Sequence, residues 1–291
     1  MTAAVAGPGE PFRVLADEDD GPGERLPAAF RRIYGGDWPL PPPGPARPYT
    51  YVNFVVSRDG RVSFDEPGHR GGGEISLFSV HDRWLMALLR ARCDAVLVGD
   101  ATLRLEPEHL WTPEYAFPED AAAFSALRAA EGRRAIPLHV FLSLDGDLPA
   151  GAAVFARREI PLLIATTARG VAPARAVLRA RPNAAVRGFA GDVVDPSELL
   201  AALRRDYDVR ALLCEGGPRV YGALLRAGQV DDEFLTLSPI VVGNRPAGIG
   251  RPRPSLVEGV AFAPGTAPVQ RLLSVRRAGD QLFLRSRYAR E

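Results

Sequence analysis

The stretch VRALLCEGGPRVYGALLRAG, residues 209–228, decides the fold class. It begins as an apolar run typical of a buried strand, turns at two adjacent glycines, and continues with helical spacing until Gly228. A second strand–glycine–helix unit, DAVLVGDATLR, occupies residues 94–104 and follows the helical pattern HDRWLMALLRAR of residues 81–92. Strands that alternate with helices predict a parallel sheet, so the sequence predicts an α/β fold.

Further apolar runs predict the other strands of this sheet, namely YVNFVV (51–56), IPLHVFLS (136–143) and IPLLIATT (160–167). The C-terminal part changes character, because DDEFLTLSPIVVG (231–243) and the hairpin VQRLLSV…QLFLRSRYA (269–289) have antiparallel signals. We therefore predict a mixed, mainly parallel central sheet flanked by helices, with a C-terminal β-hairpin.

Residues 1–48 differ from the rest of the chain in composition. They are rich in Gly, Pro and acidic residues and end in the cluster PLPPPGPARP. Because proline lacks an N–H and disfavours helix before it, we predict an N-terminal extension that wraps or dangles rather than forming a core. Residues 49–291 then make up the catalytic domain. Five apolar side chains offer docking points for the extension: Phe12, Val14, Leu15, Phe30 and Trp38.

The composition excludes several classes of function. With 36 Lys+Arg against 35 Asp+Glu in 291 residues, the net charge of +1 argues against a nucleic-acid or polybasic membrane partner. The chain contains no lysine, which excludes a lysine Schiff base, a Walker A phosphate site and a kinase. Two distant cysteines and four histidines without zinc spacing predict neither disulfides nor a metal site. No signal peptide and no apolar run of ~18 residues is present, so we expect a cytoplasmic protein.

Polar residues and glycines follow the predicted parallel strands, where ligands of α/β sheets bind. Glu215 ends an apolar run, so it should be partly buried and need a partner, which favours a functional carboxylate. Asp59 follows the first strand and either caps a turn or faces a polar substrate. Glycines and hydroxyl groups at strand ends indicate phosphate binding through backbone N–H groups. The G-x-G-x-x-G pattern of a standard dinucleotide site is absent.

Four segments together resemble the riboflavin-biosynthesis pyrimidine reductases, the reductase half of the bifunctional deaminase–reductase. They are NFVVSRDGRV (53–62), LLRARCDAVLVGDATLR (88–104), LLCEGGPRVYGALLRAG (212–228) and VDDEFLTLSPIVVG (230–243). The resemblance covers roughly residues 50–288 and implies a dihydrofolate-reductase-like fold, an NADPH-dependent reductase and a homodimer formed through the late strands. It implies 5-amino-6-(5-phosphoribosylamino)uracil as substrate.

The resemblance also implies roles for individual residues. As cofactor-binding residues it implies Val55, Gly99, Thr102, Glu106, Ser143, Thr166, Thr167, Gly216, Gly217, Pro218, Arg219, Val220 and Tyr221. It places Arg169 near a 2′-phosphate. On the substrate side it implies Asn53, Ser57, Ser76 and Arg90, with Asp59 and Glu215 as the catalytic carboxylates.

Two departures from the family pattern concern the substrate phosphate. Asn53 stands where the pathway enzymes have a lysine, and Trp111-Thr112-Pro113 stands about where they have an arginine. Each lost cationic contact is worth ~1.5–3 kcal/mol, unless Arg58, Arg61 or Arg70 substitutes. Two alternatives therefore stay open. One is a dihydrofolate or pteridine reductase, for which Asp82 would hold the pterin ring. The other is a non-catalytic NADPH-binding module.

Overall fold

The computed structural model describes residues 4–179, 181, 184–246 and 250–289, and these residues build one ten-stranded sheet. Residues 1–3 of the expected extension and 290–291 of the expected catalytic domain lie outside the described residues. The strands are β1 (Arg13–Asp17), β2 (Tyr49–Val56), β3 (Ala95–Gly99), β4 (Leu138–Leu142), β5 (Leu162–Thr167), β6 (Ala184–Phe189), β7 (Ala211–Cys214), β8 (Asp232–Leu237), β9 (Gln270–Ala278) and β10 (Gln281–Tyr288).

Helices connect the strands on both faces of the sheet. They are α1 (Ala28–Tyr34), α2 (Val80–Ala91), α3 (Asp100–Leu105), α4 (Pro113–Ala116), α5 (Ala121–Ala130), α6 (Ala153–Ala156), α7 (Val171–Val177), α8 (Pro196–Tyr207) and α9 (Pro218–Arg226). No helix in the described ranges is long and apolar enough to cross a membrane.

The strand order is β1-β9-β10-β8-β2-β7-β3-β4-β5-β6. The run from β8 to β6 is parallel, whereas β10 pairs antiparallel with both β8 and β9. The predicted α/β class, the mainly parallel sheet and the C-terminal hairpin are confirmed. One detail differs, because β8 is antiparallel only to β10 and runs parallel to β2. Consequently β8 ends at the same edge as the other parallel strands.

The sheet carries an apolar core on each face. On one face α2, α5 and the N-terminal segment pack around Trp84 and Phe124. On the other face α8 and α9 bury leucines such as Leu200 and Leu224 against β2, β3 and β7. Burial on both faces explains why the parallel strands read as continuous apolar runs rather than as alternating patterns.

The N-terminal segment, residues 4–48, is part of the first core, which corrects the expectation that it would not form one. Phe12, Phe30 and Trp38 are buried as docking points, whereas Val14 and Leu15 are 42% and 50% exposed. Strand β1 adds to the sheet by pairing antiparallel with β9. Burial of the apolar anchors therefore packs the segment into the core despite its prolines. The prolines lie in irregular segments where no ladder hydrogen bond is needed.

Buried arginines fasten this segment to the rest of the molecule. Arg276 pairs with Asp17 at 2.8 Å, and Arg285 pairs with Asp19. The guanidinium of Arg92 donates to the carbonyl oxygens of Trp38 and Glu24, the second at 2.7 Å. A buried charge is tolerated only when it is paired and hydrogen-bonded, so these contacts make the segment integral to the fold.

Candidate active site

Two strand–helix turns face each other at the carboxyl edge of the sheet. Gly99 begins α3 after β3, and Gly216-Gly217 lead from β7 into α9. A Cβ added to Gly216 would lie 3.1 Å from the backbone nitrogen of Gly99, whereas one added to Gly217 would lie 3.4 Å from Thr102 Oγ1. Gly216 is therefore required for the close approach of the two turns. Gly217 borders a narrow space beside Thr102.

The first turn of α9 presents unused donors to this space. Gly217 is the N-cap and supplies no side-chain cap, and Pro218 occupies the first helical position. The N–H groups of Gly217 and Arg219 make no hydrogen bond with any described residue. A nine-residue helix with free N–H groups at its start favours a phosphate oxygen there, because donors and helix dipole point the same way. These residues fit the pyrophosphate of a dinucleotide.

Glu215, at the end of β7, forms a buried ion pair with Arg90 of α2. Its Oε2 accepts from Arg90 Nε at 3.0 Å and from Nη2 at 2.8 Å. Among the residues that the structure describes, its Oε1 accepts from Asn53 Nδ2 alone, at a long 3.4 Å. The side chains of Arg90 and Glu215 are 1% and 8% exposed. The expected partner of Glu215 is thus present, and Oε1 keeps lone-pair capacity for a ligand.

Arg90, expected as a substrate-binding residue, uses its donors within the protein. Besides its bonds to Glu215, Nη1 donates to the carbonyl oxygens of Leu110 and Thr112, both at 3.3 Å. Nη2 also approaches His109 Nε2 at 2.9 Å. All five guanidinium N–H donors are thus engaged. In this arrangement Arg90 orients Glu215.

His109 and Glu106 continue this network toward α3. His109 Nδ1 lies 3.2 Å from Glu106 Oε2. Burial raises the pKa of the Glu106 carboxyl group, and the nearby charge of Glu215 adds to the shift. A Cβ on Gly71 would lie 2.7 Å from Glu106 Oε1, so the glycine-rich loop 71–73 approaches this carboxylate closely.

Asp82 is a second buried carboxyl group near Glu215. It lies in the first turn of α2, and burial raises its pKa to about 6, with the charge of Glu215 acting in the same direction. The hydroxyl groups of Thr236 and Ser76 lie beside it and oppose the shift. Ser76, expected as a substrate contact, donates its hydroxyl to the carbonyl of Gly73 at 3.0 Å. Asp82 can therefore hold a proton close to neutral pH.

Asp59 is fully engaged in a loop–loop contact. Its Oδ1 accepts from Val242 N at 2.9 Å and from Ser57 Oγ at 2.7 Å, and its Oδ2 accepts from Gly243 N at 2.7 Å. These bonds, led by that of the Val242 N–H, lower the pKa of Asp59 to about 2. A carboxylate so stabilised is a poor proton donor, so the turn-capping alternative fits better than a catalytic one. Buried Ser57 also accepts from Arg61 N at 2.9 Å, which makes it part of the same turn.

The predicted cofactor residues of β4 and β5 lie at the same edge with their hydroxyl groups bonded inside the protein. Ser143 Oγ donates between Asp100 Oδ2 at 3.0 Å and Asp145 Oδ1 at 3.1 Å. Thr166 and Thr167 both donate to the carbonyl of Leu144, Thr167 at 2.6 Å. These hydroxyl protons hold the edge of the site together, and each oxygen keeps acceptor capacity for a ligand.

Tyr221, expected as a cofactor-binding residue, directs its side chain into the core and not toward the two turns. Its ring stacks on Phe54 at 5.2 Å, and its hydroxyl bonds Glu233 and Tyr288 in the core. Its backbone N–H donates to the carbonyl oxygen of Gly217 at 3.2 Å. The helical spacing explains the difference, because the fourth residue of α9 points toward the sheet.

The other expected cofactor residues border the turns. Val220 packs against Gly99 and Gly216, Arg219 is exposed, and Val55 lies beside Gly72 at the end of β2.

A sequence profile of the RibD C-terminal domain family matches residues 48–266. The chain belongs to this family. Its relatives include two proteins named 2,5-diamino-6-ribosylamino-4(3H)-pyrimidinone 5′-phosphate reductase. The Archaeoglobus fulgidus protein is 27% identical over 244 residues, which covers 84% of this chain and 100% of that protein. The Methanothermobacter thermautotrophicus protein is 27% identical over 201 residues, or 69% of this chain and 82% of that protein.

Solved structures share the fold of this RibD-family chain. Acinetobacter baumannii RibD superposes with a TM-score of 0.59 at 17% identity over 84% of this chain. This chain spans only 59% of the length of that protein. A pyrimidine reductase-like protein from Corynebacterium diphtheriae gives a TM-score of 0.63 at 19% identity, covering 84% of this chain and 93% of that one. The expected family and the expected fold are confirmed.

Sequence reasoning missed two residues of this RibD-family site. His109 carries no motif of its own, and only its spacing of three residues from Glu106 hints at a contact. Thr236 reads as an ordinary strand residue, and its place beside Asp82 depends on β8 running parallel to β2. Both depend on strand order, which no local pattern contains.

Proposed function

We propose that the protein is an NADPH-dependent reductase of 2,5-diamino-6-ribosylamino-4(3H)-pyrimidinone 5′-phosphate. One observation carries the proposal: Glu215, whose Oε1 keeps acceptor capacity, directly precedes the Gly216-Gly217 turn that leads into the uncapped N-terminus of α9. A phosphate-binding turn and a substrate-orienting carboxylate on consecutive residues are what a nucleotide-dependent reductase needs. The names of the two archaeal relatives supply the substrate.

Different residues of the chain bind different parts of the cofactor. Gly217 and Arg219 hold the pyrophosphate through their N–H groups, and Thr102 closes the opposite side. Exposed Arg169, directly after β5, suits a 2′-phosphate and favours NADPH over NADH. When bound, NADPH supplies the hydride.

The substrate side is organised around carboxyl groups. Glu215 Oε1 accepts from an amino group of the pyrimidine, and Asn53 fixes that oxygen from β2. Arg90 orients the carboxylate by donating twice to its Oε2. Asp82, with a pKa of about 6, holds a proton that it can donate near neutral pH.

The phosphate group needs cations that the family positions do not provide here. Trp111 and Pro113 are buried apolar residues where the arginine is expected. Arg58 and Arg70 are exposed, and neither forms an ion pair within the described ranges. Arg70 adjoins the glycine-rich loop 71–73, whose Gly73 carbonyl accepts from Ser76, an expected substrate contact, so we assign the phosphate to Arg70, with Arg58 as the second cation.

The late strands favour a homodimer of this cytoplasmic enzyme. Cross-strand pairs on one face of β8, β9 and β10 place five aliphatic side chains together, all of them half-buried: Leu235, Leu237, Val275, Leu282 and Leu284. The opposite face of the same strands is covered by the N-terminal segment. A second copy would bury this aliphatic face, and sedimentation velocity with Leu284→Glu as the disrupting variant tests it.

Asp82 gives one specific reason to keep a second candidate, a dihydrofolate or pteridine reductase. A buried carboxyl group in α2 beside a threonine suits the amino-substituted ring of a pterin as well as a pyrimidine. The two candidates differ in whether a ribose phosphate is required.

Turnover measurements decide between these substrates. NADPH oxidation is followed with the diaminopyrimidine phosphate, with 5-amino-6-(5-phosphoribosylamino)uracil and with dihydrofolate, and each is repeated with NADH. We expect turnover of the diaminopyrimidine phosphate with NADPH, and a loss of about tenfold or more for Glu215→Gln. Asp206→Asn, in an exposed pair with Arg187, is the matched control and should retain full activity. Turnover of dihydrofolate alone would favour the second candidate.

A further inference from the structure

The imidazole of His109 bridges the cofactor side and the substrate side of the site. Its Nε2 lies 2.9 Å from Arg90 Nη2, and its Nδ1 lies 3.2 Å from Glu106 Oε2. The ring is held between two aromatic rings, with centroids 4.9 Å from Trp111 and 4.6 Å from Tyr115. The orientation of the imidazole is therefore determined by packing as well as by hydrogen bonds.

The protonation pattern of this ring follows from its neighbours. A guanidinium only donates, so Nε2 must accept from Arg90, and the single ring proton lies on Nδ1, where it points to Glu106. Burial and the charge of Arg90 lower the pKa of His109 to about 2, with His139 of β4 acting in the same direction. Tyr115 faces the ring from α4. His109 is thus neutral in one tautomer throughout the physiological pH range.

Hydrogen bonds with fixed donors and acceptors run from Glu106 through His109 and Arg90 to Glu215. Arg90 Nη2 has two hydrogens, of which one goes to His109 and the other to Glu215 Oε2 at 2.8 Å. A ligand that moves or neutralises Glu106 changes the hold on His109. That change alters the Arg90 hydrogen bonds and with them the orientation of Glu215.

We propose that His109 is a positioning residue that transmits the state of Glu106, beside the cofactor, to Glu215, beside the substrate. The assignment of the two sides rests on the proposed function, whereas the hydrogen-bond path does not. His109 touches neither ligand in this proposal. It makes the carboxylate that orients the substrate respond to occupancy of the cofactor side.

Two variants separate transmission from packing. His109→Phe keeps a ring between Trp111 and Tyr115 but removes both hydrogen bonds. His109→Gln has an amide that accepts from Arg90 through its oxygen and donates to Glu106 through its nitrogen. If His109 only fills space, the Phe variant should behave like the wild type and the Gln variant should not. If His109 transmits, the Gln variant should behave like the wild type and the Phe variant should not.

Nitrogen-15 NMR of the unliganded protein tests the path without any activity. In the wild type we expect His109 protonated at Nδ1 only, with no titration between about pH 5 and pH 8. Glu106→Gln should shift the Arg90 Nε–H signal, and that shift should vanish in the His109→Phe background. Glu114→Gln, at an exposed position of α4, is the control and should leave the signal unchanged. A proton on Nε2, a titration near the ordinary histidine pKa, or a shift that survives in His109→Phe would overturn the proposal.

Kinetics add an independent arm. We expect kcat to fall about tenfold in His109→Phe and to recover most of that loss in His109→Gln. Equal activity of wild type and His109→Phe would contradict transmission. If the wild type oxidises NADPH with none of the three substrates, the proposed function fails, and the NMR result alone decides the role of His109. If His109→Phe does not fold, the tautomer measurement on the wild type decides.

Discussion

Glu215→Gln separates the electrostatic role of this carboxylate from its shape. Arg90 is 1% exposed, and its only ion pair among the described residues is with Glu215. The substitution keeps the size of the side chain but leaves the guanidinium buried without its counter-charge. Breaking a buried pair in this way costs about 3–5 kcal/mol, and the remaining amide oxygen brings our estimate to about 3 kcal/mol. At two to four degrees per kcal/mol for a domain of this size, the midpoint of thermal unfolding should fall by roughly 6–12 °C.

Urea and thermal unfolding followed by tryptophan fluorescence measure this loss. The control is Asp206→Asn, since its pair with Arg187 is 30% and 32% exposed and, being screened by solvent, contributes little to stability. A double variant, Arg90→Met with Glu215→Leu, removes both charges and should regain stability without regaining activity. An unfolding midpoint of Glu215→Gln equal to that of the wild type would refute the buried pair as described.

Four further predictions address the glycines and the other carboxyl groups. Gly217→Val should fold normally and weaken NADPH binding about tenfold or more, as measured by fluorescence titration, whereas Gly216→Ala should lower thermal stability through its 3.1 Å contact. Asp82→Asn should be more stable than wild type by about 3 kcal/mol at neutral pH. That gain should disappear below about pH 4, because the raised pKa of about 6 makes wild-type stability fall as pH rises through this window. Asp59→Asn should show the opposite sign and be less stable than the wild type above about pH 4. As the pH falls toward about 2, where the carboxyl group of the folded protein becomes protonated, the urea midpoint of the variant should approach that of the wild type. Asp120→Ala should cost about 3 kcal/mol in urea unfolding, because this buried carboxylate accepts from two N–H groups of the N-terminal segment and from a tryptophan Nε1.

The local patterns of the sequence predict most of the sheet correctly. Apolar runs followed by glycine correctly predicted β3 and β7 with the helices after them, because a strand that is buried on both faces consists mainly of apolar residues. Glu215 could be recognised as buried and in need of a partner from its position alone. The N-terminal segment was the main failure. Its prolines and glycines suggested a loose extension, while docking depended on buried arginines in β9 and β10 more than two hundred residues away.

The contacts within the site were less predictable than its location. Asp59, Arg90 and Tyr221 were expected as site residues, yet their polar atoms are used inside the protein. Sequence position reports which edge of the sheet a residue reaches. It does not report which donors and acceptors remain free, because that depends on loops such as 239–243 and on the segment that contains His109.

Transfer of hydrogen from NADPH to the pyrimidine tests the central claim most directly. The enzyme is incubated with NADPH deuterated at the hydride position and the diaminopyrimidine phosphate, and the product is analysed by mass spectrometry. We predict one deuterium in a reduced pyrimidine product from the wild type and a much slower appearance of it from Glu215→Gln. An unlabelled or unreduced pyrimidine, with NADPH still bound by the wild type, would contradict it.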